Sequence, residues 1–210
     1  MLISLSRKFV FVANLKTAST SIEKALRPFA ELALVESRFG KHQEFAQIEA
    51  RFAWLLGQID PAELFVFGVI RDPVDYMVSL YNSHTDPKFR DRPALYTAGL
   101  DFDHFLREWT VANADQIRQQ HLRFLDRAGR LAPNYIISYD RLGDGMRFVA
   151  DRIGVKALTA LSRENQSPGD FDISAVAAQQ REWIEKRFDG DLRVMQNYCD
   201  RLLTERQPFV

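Results

Sequence analysis

Apolar positions along the chain fall into short continuous runs that alternate with stretches of helical period. Phe9-Val10-Phe11-Val12 is uninterrupted and β-rich, as expected for a strand buried on both faces. Behind it Ile22, Ala25, Leu26 and Phe29 recur at helical spacing, with Pro28 placed to end or kink that helix. Leu32 to Val35 predicts a short second strand, and Phe45, Ile48, Phe52, Leu55 and Leu56 predict a helix after it. The clearest strand is Leu64 to Ile70, seven apolar residues in a row and too short for a helix of usual length. Arg71-Asp72-Pro73 closes it, and Asp72 as cap with Pro73 as first residue opens a helix lined by Val74, Met77, Val78 and Tyr81.

Periodicity is lost from Asn82 to Gly99, which reads as a long loop carrying His84, Lys88, Arg90 and Arg92. Phe102, Phe105, Leu106 and Trp109 predict one helix; Ile117, His121, Phe124, Leu125 and Ala128 predict another that stops near Gly129. Tyr135 to Tyr139 is a further strand, and Met146, Val149, Ala150 and Ile153 line a helix capped by Gly154. Arg163 to Gly169 is a turn-rich break before a last helical region, Ser174 to about Thr204, interrupted at Gly190. Strand followed by helix, repeated with buried strands, predicts a three-layer α/β fold in which helices flank a largely parallel central sheet. At 210 residues, one domain over 1–210 is expected.

Composition narrows the function classes. Lys+Arg and Asp+Glu number 28 each, so net charge gives no support to a nucleic-acid or membrane-surface role, and any basic site must be local. No apolar run reaches the roughly 18 residues of a membrane span, and Arg7 and Lys8 do not form a signal-peptide layout. A soluble, cytoplasmic protein is expected. Cys199 is the single cysteine, which leaves no intrachain disulfide and no Cys/His metal cluster, and it reads as a small buried hydrophobe.

The chemistry concentrates at two junctions. Asn14-Leu15-Lys16-Thr17-Ala18-Ser19-Thr20-Ser21 joins the first buried strand to the first helix, placing Ser19 to Ser21 at a helix N-terminus beside Lys16. Unpaired N–H groups, the helix dipole and a full charge together suit a phosphate. The glycines of G-x-x-x-x-G-K-[ST] are missing, which counts against an ATP-type loop. From this segment alone, a capped helix after a polar turn, with no ligand, is an equal reading. At the second junction, Arg71 offers a planar charged fork and Ser79, two turns into the helix, a hydroxyl. Lys41-His42 falls in a turn just before a helix, where histidine at neutral pH can accept a proton.

Lys16-Thr17-Ala18-Ser19-Thr20-Ser21 resembles the loop of sulfotransferases that cradles the 5′-phosphosulfate of 3′-phosphoadenosine 5′-phosphosulfate (PAPS), in the version found in carbohydrate sulfotransferases of the uronyl 2-O type. Leu15 stands where a proline is usual. Arg71-Asp72-Pro73 with Ser79-Leu80-Tyr81 resembles the 3′-phosphate site of the same family, Lys41-His42 its catalytic turn, and Arg163 and Asn165 its nucleotide-closing loop. Tyr76 departs from the pattern, since many relatives carry a further arginine there. The resemblance implies a P-loop-like fold; its eukaryotic carbohydrate members are typically membrane-anchored Golgi proteins, and because this sequence starts almost directly with its first core strand a compact, bacterial-type relative is expected. PAPS would be the co-substrate, no metal would be needed, and the acceptor would be a hydroxyl on a saccharide or glycoconjugate. Lys16 and His42 would be catalytic; Lys16, Thr17, Ala18, Ser19, Thr20, Ser21, Arg71, Ser79, Arg163 and Asn165 would bind the nucleotide. Two other classes stay open: a kinase using Mg·ATP on a related fold, and a non-catalytic nucleotide-binding protein.

Overall fold

A computed structural model of the chain describes residues 1–35, 40–114, 117–155 and 168–209. Its strands are β1 (Leu2–Ser4), β2 (Phe9–Val12), β3 (Leu32–Ala33), β4 (Phe65–Ile70), β5 (Arg130–Leu131), β6 (Tyr135–Ser138) and β7 (Gln207–Pro208). Five of them form the central sheet in the order β3-β1-β2-β4-β6, while β5 and β7 pair in a small ribbon. β2, β4 and β6 run parallel to one another, and β1 alone runs against its neighbours β2 and β3. The sheet is therefore mostly parallel, as the strand-helix alternation predicts, with one reversed strand that the sequence pattern does not predict.

Side-chain alternation along the strands builds the two faces. Phe9, Phe11, Phe65, Phe67, Tyr135 and Ile137 point to one side, where they meet Ile22 and Leu26 of α1 (Ser19–Leu26) and a later helix carrying Met146 and Val149. Val10, Val12, Val66, Ile70 and Ile136 point to the other, against Phe45 and Ile48 of α2 (Phe45–Arg51), Phe124 and Val194. Helices thus cover both faces, giving the three layers. The predicted helix after Phe45 breaks at Phe52, whose ψ of 23° leaves helical geometry, and a single turn, α3 (Ala53–Leu56), follows.

Gly68, in the middle of β4, belongs to the aliphatic face and leaves room for the ring of Phe124. A Cβ there would lie 2.4 Å from Phe124 Cε1 and 3.1 Å from the Val12 carbonyl oxygen. The neighbouring strand cannot retreat without breaking its ladder, so Gly68→Ala is expected to destabilise the chain by about 2–3 kcal/mol. Urea denaturation should show this as a lower midpoint at unchanged slope; equal midpoints would mean that Phe124 swings aside freely.

The remaining helices are α4 (Pro73–His84), α5 (Phe102–His104), α6 (Thr110–Ala112), α7 (Leu142–Arg152), α8 (Ala178–Arg187) and α9 (Asp189–Tyr198). A π-wound turn, Phe105–Trp109, joins α5 to α6. Asp72 caps α4 as expected, its carboxylate accepting from the N–H groups of Val74 and Asp75 at 2.9 and 3.1 Å. Three expectations need correction here. Residues 117–128 contain only a 3-10 turn, Gln120–Phe124, because a buried carboxylate takes the N–H groups of Gln120 and His121 at its start. The final helical region breaks at Phe188, with ψ of 30°, not at Gly190. Gly190 lies inside α9, where a Cβ would come 2.3 Å from the His121 ring. Cys199 is half-buried rather than buried, in an isolated bridge with Ile136. Among the described residues no helix is long and apolar enough to cross a membrane.

Candidate functional site

β2 and β4 are parallel neighbours with Val12 opposite Gly68, so the segments leaving them open side by side at the carboxyl edge of the sheet. That edge is where open α/β sheets bind ligands. The first segment, 13–18, is wound with two left-handed residues, Lys16 at φ 60° and Ala18 at φ 56°, neither of them glycine. This conformation costs roughly 1–2 kcal/mol per residue, and turning the backbone so gathers successive N–H groups around one point. Ala18 is the residue before α1, and it makes no side-chain cap hydrogen bond to the helix.

The strained loop is held from three directions. Asn14 Nδ2 donates to the Val69 carbonyl at 3.0 Å, and the buried Thr17 hydroxyl donates to the Asn14 carbonyl at 3.1 Å. Arg71 Nη1 donates to the Lys16 carbonyl at 3.0 Å, so the two junctions singled out in the sequence touch directly. Ser19 and Ser21 are buried in the first turn of α1, and Thr20 accepts from Lys41 Nζ at 2.9 Å. Lys41 also pairs with Glu23 at 2.6 Å, which ties the histidine-bearing turn to α1.

Arg71 works for the fold as well as for any ligand. Its Nε and Nη2 bond the two oxygens of Asp75 at 2.6 and 2.9 Å, and the guanidinium lies 4.3 Å from the centre of the Tyr139 ring. With the bond to Lys16, three of its five N–H donors are engaged within the protein. Its backbone is clamped too: Gln120 accepts from Arg71 N–H at 3.0 Å and donates to the Arg71 carbonyl at 2.7 Å. Asp191, fully buried, accepts from Gln120 N–H and His121 N–H, both at 2.8 Å, and from His121 Nδ1 at 2.7 Å. Nothing local in the sequence marks Gln120 or Asp191 as supports of this site.

Charge is concentrated here despite the neutral chain. Burial first, then the proximity of Arg71 and Lys88, push the Lys16 ammonium down to about 8. Lys88 comes from the 3-10 turn Pro87–Phe89 within the predicted loop, whose first residues, through His84, instead complete α4. Thr97 pins the loop's far end, its N–H donating to the His84 carbonyl at 3.1 Å and its hydroxyl to the Tyr81 carbonyl at 2.8 Å. Ser79 is half-buried on α4. Tyr76 is fully buried against Phe188, so that position faces the core. Arg163 and Asn165 lie outside the described residues.

His42 is half-buried, and its Nδ1 lies 3.0 Å from the Ala13 carbonyl. A carbonyl only accepts, so Nδ1 carries the proton and Nε2 the lone pair. Burial, with Arg123 and Lys41 adding repulsion and the Ala13 bond opposing, lowers its pKa to about 4. Between pH 6.5 and 4 the unfolded chain therefore takes up a proton that the folded chain refuses. Stability from this group is complete above about pH 6.5 and falls as acid is added through that window, by roughly 3 kcal/mol in all. Urea titrations at pH 7 and 4.5 should show that loss, and His42→Gln should remove most of it; identical pH dependence in the variant would refute the depressed histidine.

Compared with protein-family models and with curated proteins, the chain matches none.

Proposed function

We propose that the chain is a PAPS-dependent sulfotransferase acting on a hydroxyl of a saccharide or glycoconjugate. The observation that carries the reading is the bond from Arg71 Nη1 to the Lys16 carbonyl. In this reading the contact joins the loop that would take the 5′-phosphosulfate to the arginine that would take the 3′-phosphate, as binding one nucleotide requires. The strained loop, the crowding of Lys16 by two further cations and the neutral imidazole of His42 support it.

In this scheme the acceptor oxygen attacks sulfur as the bond from sulfur to the 5′-phosphate oxygen breaks, giving a sulfate ester and adenosine 3′,5′-bisphosphate. His42 Nε2 takes the hydroxyl proton. Lys16 and the N–H groups at the start of α1 stabilise the charge that develops on the departing phosphate oxygen. Arg71 and Ser79 hold the 3′-phosphate and so fix the register of the donor, which makes alignment the main contribution of the protein.

Calorimetric titration tests this. Adenosine 3′,5′-bisphosphate should bind without Mg²⁺, AMP should bind at least about tenfold more weakly (1.4 kcal/mol), and Arg71→Ala should abolish the difference. Preference for Mg·ATP would overturn the reading in favour of a kinase, and absence of any nucleotide binding would overturn both.

A further inference from the structure

Arg123 is 7% exposed, in the turn Gln120–Phe124 below the His42 segment. Among the described residues its one hydrogen bond runs from Nε to the His42 carbonyl at 3.4 Å, and its Nη1 has no partner. The two carboxylates that sense its charge are committed elsewhere: Glu44 to Arg118, Asp191 to Gln120 and His121. The fully buried Tyr76 hydroxyl, which also senses Arg123, is equally without a partner. A guanidinium placed in the core with no bonded acid weakens the fold, and one long hydrogen bond does not offset that. Its presence there points to a role other than stability.

Resting on the sulfotransferase reading, in which His42 is the base, we propose that Arg123 is a positioning residue for His42. It holds the carbonyl of the turn while the Ala13 carbonyl holds Nδ1, so Nε2 stays the ring's proton acceptor. Arg123 also sets a fixed positive charge beside the ring. The other charged groups that act on the imidazole, Lys41 from its own turn and the Met1 amine, have the same sign. Burial does most to hold the ring neutral and these cations add to it, Lys41 and the Met1 amine being paired with Glu23 while Arg123 has no bonded acid; an arriving polyanionic donor offsets the cationic part and raises the ring's basicity. The base becomes effective when the donor is in place.

The test combines nuclear magnetic resonance of 15N-histidine-labelled protein with kinetics, in the wild type, Arg123→Met and Arg123→Lys. His42→Gln assigns the signal among the four histidines. In the wild type His42 should be the Nδ1–H tautomer, and adenosine 3′,5′-bisphosphate should raise its titration midpoint. Arg123→Met should raise the midpoint of the free protein by about one pH unit, mix the tautomers, and lower kcat with bisphosphate affinity unchanged. Arg123→Lys should keep the low midpoint through its charge but not the full kcat. The Tm of Arg123→Met should stay level or rise. An unchanged midpoint and tautomer in Arg123→Met overturns the proposal, as does loss of the folded state, which would make the guanidinium a structural prop. Because the resonance arm needs no turnover, expected shifts without sulfuryl transfer would refute the enzyme reading alone, and normal transfer with no shift would refute the positioning role alone.

Discussion

Replacing Lys16 by alanine should cut turnover by about 10²–10³-fold while leaving the chain at least as stable as before. The two effects have one cause. The ammonium sits half-buried beside Arg71 and Lys88, and this environment lowers its pKa to about 8 from the ordinary 10.5. The unfolded chain holds that proton more tightly, so at neutral pH folding works against the charge, and its removal returns on the order of 2 kcal/mol. The sign is checkable. Between about pH 8 and 10.5 the unfolded state holds the Lys16 proton that the folded state releases, so wild-type stability should gain with pH relative to Lys16→Ala there, above the common loss from the buried Cys199 thiol and Tyr76 hydroxyl, whose ionisation the fold opposes. An anion in the loop reverses the balance by adding negative charge beside the ammonium. Bisphosphate binding should therefore take up protons near pH 8 and weaken above it. Arg71→Ala should behave differently, losing stability along with affinity, because Arg71 also bonds Asp75 and the Lys16 carbonyl. Normal turnover in Lys16→Ala would remove the phosphate-loop assignment altogether.

What could be read from the sequence follows from how local each cause is. β2, β4 and β6 were legible because buried parallel strands are continuous apolar runs, and the caps that follow β4 are side chains two or three residues away. β1, β5 and β7, at two or three residues each, are too short for a pattern to show. In 117–128 the apolar spacing identified Ile117 and Phe124 as buried, but the backbone follows Asp191, some 70 residues on, instead of a helix. Gly190 illustrates the same limit: read locally it breaks a helix, whereas its place is set by the His121 ring against it. Lys16, His42 and Arg71 were visible as chemistry at strand and helix ends. Gln120, Arg123 and Asp191, which hold that chemistry in place, are tied to it by contacts across 49 to 81 residues and leave no mark on neighbouring positions.

Those distant supports make the other large effect one of stability: Asp191→Ala is expected to cost roughly 3–5 kcal/mol. Truncation would strand the backbone N–H groups of Gln120 and His121 and the His121 Nδ1–H in a region closed to water, each at a penalty of about 1–3 kcal/mol when nothing relaxes. The damage should not stay in α9. Gln120, released from Asp191, loses its hold on both backbone groups of Arg71, and Arg71 is the link to the Lys16 loop. Bisphosphate affinity should therefore fall together with stability. If the path runs through Gln120, a double-mutant cycle of Asp191→Ala with Gln120→Ala should show the second substitution costing far less than it does alone. Urea denaturation and calorimetry on the four proteins of the cycle measure both quantities. Additive losses would mean that Asp191 and Gln120 support the fold separately, and undiminished affinity in Asp191→Ala would mean that the Arg71 guanidinium keeps its place through Asp75 and Tyr139 alone.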